Sequence, residues 1–361
     1  MALELVTAGE SHGPALVAIV TGLPAGLLLD KGTIDADLHR RQQGYGRSPR
    51  QQIEQDEVEV LAGLRHGRTL GTPLALVVRN RDHTNWAWGM SPWPPEGEPA
   101  GKGTKQVTLP RPGHADLAGA LKYGLADVRD ALERASARHT AVVVAAGAVA
   151  KALLRDLGIE VESRVLGDDL ERRIDEARAA RDTVGGVVEV RARGVPPGLG
   201  SYATKGDRLD TRLAATLMGT QAVKGVEIGD GFDLAGKRGS EAHDEILRDD
   251  DGLHRETNRA GGLEAGVSNG EEIVVRAAMK PLPTLMQPLA SVDLETGEPA
   301  QALVERSDTA AVEALAVVAE SCVAWELARV AREKFGGDSV GDFLAAHSHY
   351  LERIDWQPRT R

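Results

Sequence analysis

Two histidines stand beside glycine in polar surroundings: Gly9-Glu10-Ser11-His12-Gly13 and Arg111-Pro112-Gly113-His114-Ala115-Asp116. Glycine carries no side-chain bulk and adopts positive φ freely, so a ligand can approach the backbone there. Imidazole exchanges protons near neutral pH. A single Gly-His would read as a turn histidine capping local backbone, since histidines are typically intermediate in burial and structurally satisfied. Two in similar frames predict two proton-transfer groups facing one pocket. Arg40, Arg41, Arg47 and Arg50 fall within eleven residues, and Arg65 and Arg68 follow. In a chain of net charge −11, such local clustering predicts a focused site for a small polyanion; the alternative is a solvated helix end.

Several familiar patterns fail on inspection. Gly9-Glu10-Ser11-His12-Gly13 fits the G-x-S-x-G nucleophile elbow, but that elbow needs a strand, a sharp turn and a helix. Here Ala15–Thr21 reads as strand, and position 11 leaves no room for the strands that would precede it. Gly97–Gly103 resembles a phosphate-binding loop, yet its spacing is one short and Gly103 replaces Ser or Thr. A Rossmann fingerprint is missing. His347 and His349 lack neighbouring ligands in a metal pattern, so no metal is expected. The single Cys322 excludes an intrachain disulfide and reads as a small buried hydrophobe.

These groups need a scaffold. At 361 residues the chain suits one large domain or two ordinary ones. With 41 glycines and only 3% aromatics, its core must come from Val, Leu, Ala and Ile, and many residues go to tight loops. Strands are expected at Leu3–Thr7, Ala15–Thr21, Val58–Leu64, Leu74–Val78, Val161–Val165, Val187–Ala192 and Glu272–Met279. Helices are expected at Thr33–Gln43, Asp116–Leu154 with a break near Ala135–Ser136, Asp168–Asp182, Leu209–Ala222 and Thr309–Phe335. Trp86–Lys105, rich in Pro, Gly and Trp, reads as a long excursion or lid, and the polar tail after Tyr350 as frayed. One echo recurs: Gly63-Leu64-x-x-Gly67-x-x-x-Gly71-x-x-Leu74 matches Gly262-Leu263-x-x-Gly266-x-x-x-Gly270-x-x-Ile273. It predicts two equivalent halves within one fold. No signal peptide or membrane-length apolar run is evident, so a cytoplasmic location is expected with no membrane partner. The acidic balance argues against nucleic acid as a partner.

Further motifs follow in order: Gly44-Tyr-Gly-Arg47, Glu133-Arg-Ala-Ser-Ala-Arg138, Gly194-Val-Pro-Pro-Gly-Leu-Gly200, Lys224–Gly229, Asn258-Arg-Ala-Gly-Gly262, Lys280-Pro-Leu-Pro-Thr284, Glu305-Arg-Ser-Asp308 and Phe335-Gly-Gly-Asp338-Ser339. From Leu3 to Ser339 this series resembles the chorismate synthases. The resemblance implies an α+β fold, a single β-α-β sandwich-type domain (1–345) with approximate internal two-fold pseudosymmetry and a polar tail (346–361). It implies a lyase of the shikimate pathway that makes chorismate and phosphate from 5-enolpyruvylshikimate 3-phosphate by 1,4-anti elimination with reduced FMN, in a homotetramer. It assigns His12 to the leaving phosphate, His114 to proton exchange near the flavin and Asp338 to relay of the abstracted proton. Arg41 and Arg47 fall at substrate or NADPH positions, NADPH being a possible reductant. Flavin contacts fall at Arg134, Ala135, Ser136, Gln221, Ala222, Ala265, Lys280, Pro281, Leu282, Pro283, Thr284 and Arg306. Ala265 stands where the family usually has glycine, and Pro283 is an uncommon neighbour. The rival readings are a flavin-dependent NAD(P)H oxidoreductase on the same pocket, which lacks a separate dinucleotide fold, and an RNA-binding module on the Arg40–Arg68 cluster, which lacks interleaved aromatics.

Overall fold

The computed structural model describes residues 2–48, 53–249, 252–305 and 308–356. Its first half contains β1 (Glu4–Ala8), β2 (Ala15–Thr21), α1 (Lys31–Gln42), β3 (Val58–Ala62), the hairpin β4 (Leu64–Arg65) and β5 (Arg68–Thr69), and β6 (Leu74–Arg79). Helices α2 (Asp116–Tyr123), α3 (Arg129–Ala135) and α4 (Thr140–Arg155) follow. The second half contains β7 (Glu160–Leu166), α5 (Leu170–Ala179), β8 (Gly186–Arg193), α6 (Leu209–Met218), β9 (Val223–Ile228) and the short α7 (Gly239–Ala242). Then come the hairpins β10 (Ile246–Asp249) with β11 (Gly252–Arg255) and β12 (Leu263–Glu264) with β13 (Val267–Ser268), and β14 (Ile273–Met279). After β15 (Ala290–Val292) and β16 (Pro299–Gln301) the chain ends in α8 (Val312–Phe335) and α9 (Val340–Ile354).

Two antiparallel four-stranded sheets, ordered β1-β2-β6-β3 and β7-β8-β14-β9, flank the helices. Strand β2 buries alternate residues, Leu16, Ala18 and Val20, as a half-buried strand must. On the helix side α4 packs on β2 and β6, α8 packs on β7 and β8, and α4 packs against α8. Where those two helices meet, Gly147 is required: a Cβ there would lie 2.3 Å from the Ser321 Cβ. One hydrophobic cluster runs through both sheets and these helices.

The echo in sequence is an echo in topology. Each copy is a glycine, a two-residue hairpin and the third strand of its sheet. Both hairpin turns hold two residues at positive φ, His66 and Gly67 (50° and 74°) and Ala265 and Gly266 (50° and 82°), the geometry that matches strand twist in a two-residue turn. Each hairpin also makes one antiparallel bridge, Arg68 to Leu28 and Val267 to Gly200.

Several boundaries differ from expectation. The run 116–154 breaks twice, at the left-handed Gly124 (φ 67°) as well as near Ser136. Helix α6 stops at Met218, before Ala222 turns left-handed at φ 67°. Helix α9 runs through position 346 to Ile354, because Phe343 and His347 are buried on its inner face and Ser339 caps it from Asp342 N. The expected tail is therefore helical over its first residues.

Candidate functional site

A cavity of about 540 Å³ opens between the two halves. Its walls come from the β1–β2 loop, the end of α1 and the loop after it, the 111–115 turn, the α3–α4 junction, residues 220–222 and 279–284, and the first turns of α8. Both histidines reach it. His12 Nδ1 lies 2.8 Å from Glu133 Oε1, and the His12 backbone N–H donates to Glu133 Oε2 at 2.8 Å. Glu133 is 1% exposed, and a carboxylate is an acceptor only, so Nδ1 carries the proton and Nε2 is left for the cavity. The indole of Trp86 stacks on the imidazole, with centroids 3.9 Å apart at 21°.

His114 is built likewise. Its Nδ1 bonds to Asp116 Oδ1, and Asp116 is wholly buried. Burial pushes the Asp116 carboxyl up, but bonds from His114 and Arg111 outweigh it and hold the group well below the usual carboxylate range. Arg111 grips the same carboxylate through Nε at 2.8 Å and extends to Thr284 Oγ1 at 2.9 Å. Lys280 Nζ donates to the Gly113 carbonyl, tying the 280–284 segment to the His114 turn. Burial, and secondarily Lys224, lowers the pKa of this ammonium.

The cations are packed against carboxylates. Arg41 Nη2 pairs with Asp56 at 2.7 Å, Arg138 Nη1 pairs with the same Asp56 oxygen at 2.7 Å, and Arg47 Nη1 pairs with Asp308 at 2.8 Å. Burial pushes the Arg41 guanidinium down to about 10 despite Asp56. The adjacent Arg40 pairs with Glu320 at the middle of α8, which Lys151 of α4 also reaches. This cluster anchors the end of α1 and so places Arg41. The Nε atoms of Arg41 and Arg47 are buried donors with no hydrogen-bond acceptor among the described residues. Ala135, Leu132, Ala222, Ala311, Ala314, Leu315 and Val318 supply an apolar wall.

Of the residues expected at the site, His12, His114, Arg41, Arg47, Ala135, Ser136, Gln221, Ala222, Lys280, Leu282, Pro283 and Thr284 all line this cavity. Gln221 also borders a second cavity of about 510 Å³ between β1, α6 and α8. There it donates to His139 Nδ1 at 3.1 Å, and burial, followed by Arg134, pushes His139 down to about 4.

Other expected residues lie elsewhere. Asp338 is exposed in the turn after α8, its carbonyl bonded to Ala25 N; at 1.5 Å per residue it is about 25 Å of helix beyond Val318 on the cavity wall. The aspartate that does line the cavity is Asp308, which also accepts from Ser48 N at 2.6 Å. Arg134 is exposed and reaches Thr7 Oγ1 and the Thr7 carbonyl at 3.2 and 3.3 Å, because α3 turns it toward β1. Ala265 sits in the exposed turn of the β12–β13 hairpin, and Pro281 points outward between two lining residues. Arg306 lies outside the described residues, as does Arg50. Glu133, Arg138, Asp56 and Trp86 were not foreseen as site residues. Trp86 opens the segment that the sequence marks as a lid, yet it is buried at the base of that excursion, which has no regular structure over most of its length.

Two carboxylate-held imidazoles on the wall of a guanidinium-lined cavity are groups able to transfer protons beside a bound anion, as in an enzyme site. A profile of the chorismate synthase family matches residues 3–168 and 166–331. Chorismate synthase of Desulforudis audaxviator is 53% identical over 386 aligned positions, covering 98% of each chain, and that of Rubrobacter xylanophilus is 51% identical over 379, covering 96% of each. A crystal structure of a chorismate synthase superposes with a TM-score of 0.78 at 35% identity, covering 98% of both chains. The chain belongs to the chorismate synthase family, whose members are lyases.

Proposed function

We propose that this cavity converts 5-enolpyruvylshikimate 3-phosphate to chorismate and phosphate by a 1,4-anti elimination that requires reduced FMN. The observation that carries the reading is the pair of carboxylate-held histidines on one arginine-lined wall. The substrate class has two carboxylates and a phosphate, and guanidinium groups suit such anions through paired hydrogen bonds. Arg41 and Arg47, which line the cavity, would bind those groups.

The residues present fit a flavin. The apolar wall from Ala135, Ala222, Leu315 and Val318 suits a planar ring, and the volume lies within the usual range for ligand sites. Ser136, Gln221, Lys280 and Thr284 offer polar groups around it. When bound, reduced FMN would supply electron density that lets phosphate depart, with no net redox change. The protein's own part is acid–base work. His12, its Nδ1 held by Glu133, would hand a proton from Nε2 to the leaving phosphate. His114, held by Asp116, would exchange a proton at the flavin edge. Asp308 takes the place assigned from sequence to Asp338 as the carboxylate that accepts the ring proton, once an anion on Arg47 releases it. Closure of the cavity around the ligands would exclude water.

A homotetramer in the cytoplasm is part of the same proposal, as is NADPH as a possible reductant. Among the described residues, the one helical run of membrane-spanning length and composition, Arg129–Arg155, is mostly buried inside the protein. The test is an anaerobic assay with photoreduced FMN, with and without NADPH. Catalytic phosphate release with chorismate formation and no net flavin oxidation is expected. Stoichiometric flavin oxidation would instead support an oxidoreductase, and no phosphate release would sink the proposal.

A further inference from the structure

Trp86 does not line the cavity, yet it makes the closest ring contact to His12. It follows the 3-10 turn Arg81–Asn85 and is 8% exposed. Three contacts fix its plane. Its indole N–H donates to Asp82 Oδ2 at 3.0 Å. The Arg129 guanidinium lies 5.0 Å from its ring. The return leg of the excursion closes on it: Lys102 N donates to Asn85 O at 2.7 Å, and a Cβ at Gly103 would lie 2.8 Å from Trp86 Cε3. On the imidazole side, His83 Nδ1 bonds the His12 carbonyl at 2.9 Å. An indole packed this way restricts rotation about the His12 Cβ–Cγ bond, and Glu133 then sets which nitrogen carries the proton. Arg129 joins the two partners, since its Nη1 lies 3.6 Å from Glu133 Oε1 while its guanidinium approaches Trp86.

We propose that Trp86 is a positioning residue for His12: stacked on the imidazole and clamped by the base of the 86–103 excursion, it holds the ring so that Nδ1 stays on Glu133 and Nε2 faces the cavity. The assignment rests on His12 acting as the acid in the proposed elimination. It does not require Trp86 to touch substrate or flavin. A bulky aliphatic in its place would fill the volume but leave the ring free to rotate, whereas phenylalanine would keep a stacking face.

The test compares Trp86→Leu and Trp86→Phe, alone and combined with His12→Ala. With reduced FMN supplied, Trp86→Leu is expected to lower kcat roughly 10- to 100-fold, as a misplaced catalytic group does, with KM changed less than about twofold. Trp86→Phe should stay within about threefold of the parent, and Trp86→Leu should add less than about twofold to the loss in His12→Ala, because a positioning residue has nothing left to position. A second readout needs no ligand. In ¹⁵N-histidine spectra of the whole protein, His12 should show one fixed tautomer, protonated at Nδ1, in the parent and in Trp86→Phe, and averaged tautomers in Trp86→Leu. Equal losses from Trp86→Leu with and without His12 overturn the proposal, as does an unchanged tautomer in Trp86→Leu. If His12→Ala alone turns over normally, the reading of His12 as the acid falls, and the spectra by themselves decide whether Trp86 orients the ring.

Discussion

Replacing Glu133 by Gln probes the acid–base reading at its buried end. The carboxylate accepts two donors at once, His12 Nδ1–H and the His12 backbone N–H, each at 2.8 Å. A glutamine oxygen at the Oε2 position still reaches both, at 2.8 and 3.0 Å, but the amide NH₂ then stands at the Oε1 position 2.8 Å from Nδ1, where it cannot accept. If Nδ1 turns to that NH₂, the neutral ring must move its proton to Nε2. The protonated ring, the form that would hand a proton to phosphate in the proposed reaction, then places N–H against N–H₂ and loses its counter-charge. Hydrogen bonds to charged groups are worth about 1.5–3 kcal/mol, and leaving a buried donor without its acceptor adds about 1–3 kcal/mol more. Taking roughly 3–4 kcal/mol as felt in the transition state, and 1.36 kcal/mol per decade, kcat should fall about 100- to 1000-fold. KM should change less than about threefold, since Glu133 does not touch the ligand space. Single-turnover phosphate release under anaerobic conditions measures the first, and a melting curve controls for folding. A folded Glu133→Gln enzyme within about fivefold of the parent would refute the role of the Glu133–His12 pair.

Three further outcomes follow from the geometry. Arg47→Ala should raise KM for the phosphorylated substrate more than Arg47→Lys, because ammonium cannot form two parallel bonds to an anion; titration of KM for both variants checks it, and no effect of either would remove Arg47 from the site. Asp308→Asn should slow turnover severely, while Asp338→Asn, on the exposed turn after α8, should turn over near the parent rate; paired kcat values decide, and the reverse order would restore Asp338. His139 titrates at about 4 in the fold against 6.5 when free. Its folded pKa is depressed, so the unfolded chain takes up the proton first as pH falls, and stability present above pH 6.5 is lost between 6.5 and 4, by roughly 3 kcal/mol. Urea midpoints across that range should drop less in His139→Gln than in the parent; parallel curves would show that His139 is protonated at no cost.

The elements of the sheets were legible because their patterns are local. Alternation in Ala15–Thr21 and the valine run of β14 read directly as strands, and the glycine echo located two hairpins that have the same turn geometry. The helix breaks were less legible, since Ala222 adopts a left-handed conformation that its side chain does not advertise. At the site, the histidines and Arg41 and Arg47 showed in the sequence by residue type. Their long-range partners did not, although Asp116 stands two residues from His114 in the same motif. Glu133 meets His12 across 121 positions, and Arg138 meets Asp56 across 82; nothing in spacing marks such a pair. Asp338 and Asp308 both close a short polar motif, and residue order alone could not say which one the end of α8 carries away from the cavity.

The pairing of every arginine on the cavity wall has a consequence for binding. A set of bare guanidinium groups would attract any anion, screened only by salt. Here Arg41 and Arg138 share Asp56, Arg47 holds Asp308, and Arg111 holds Asp116. Burial raises the Asp56 carboxyl, yet its two arginines outweigh that and keep it below the usual range, so this charge stays in place. Arg41 Nε and Arg47 Nε have no acceptor among the described residues but are buried, so an incoming anion meets these side chains at their Nη groups or by displacing a carboxylate. Asp56 is wholly buried between two arginines and cannot leave. Asp308 is 13% exposed, bonded to one arginine and one backbone N–H, and it borders the cavity. Of the two carboxylates that hold Arg41 and Arg47, it is the one that an anion can displace. In the proposed reaction, binding an anion on Arg47 and freeing Asp308 to accept a proton would then be one event, and a ligand without an anionic group to offer Arg47 would leave that carboxylate locked.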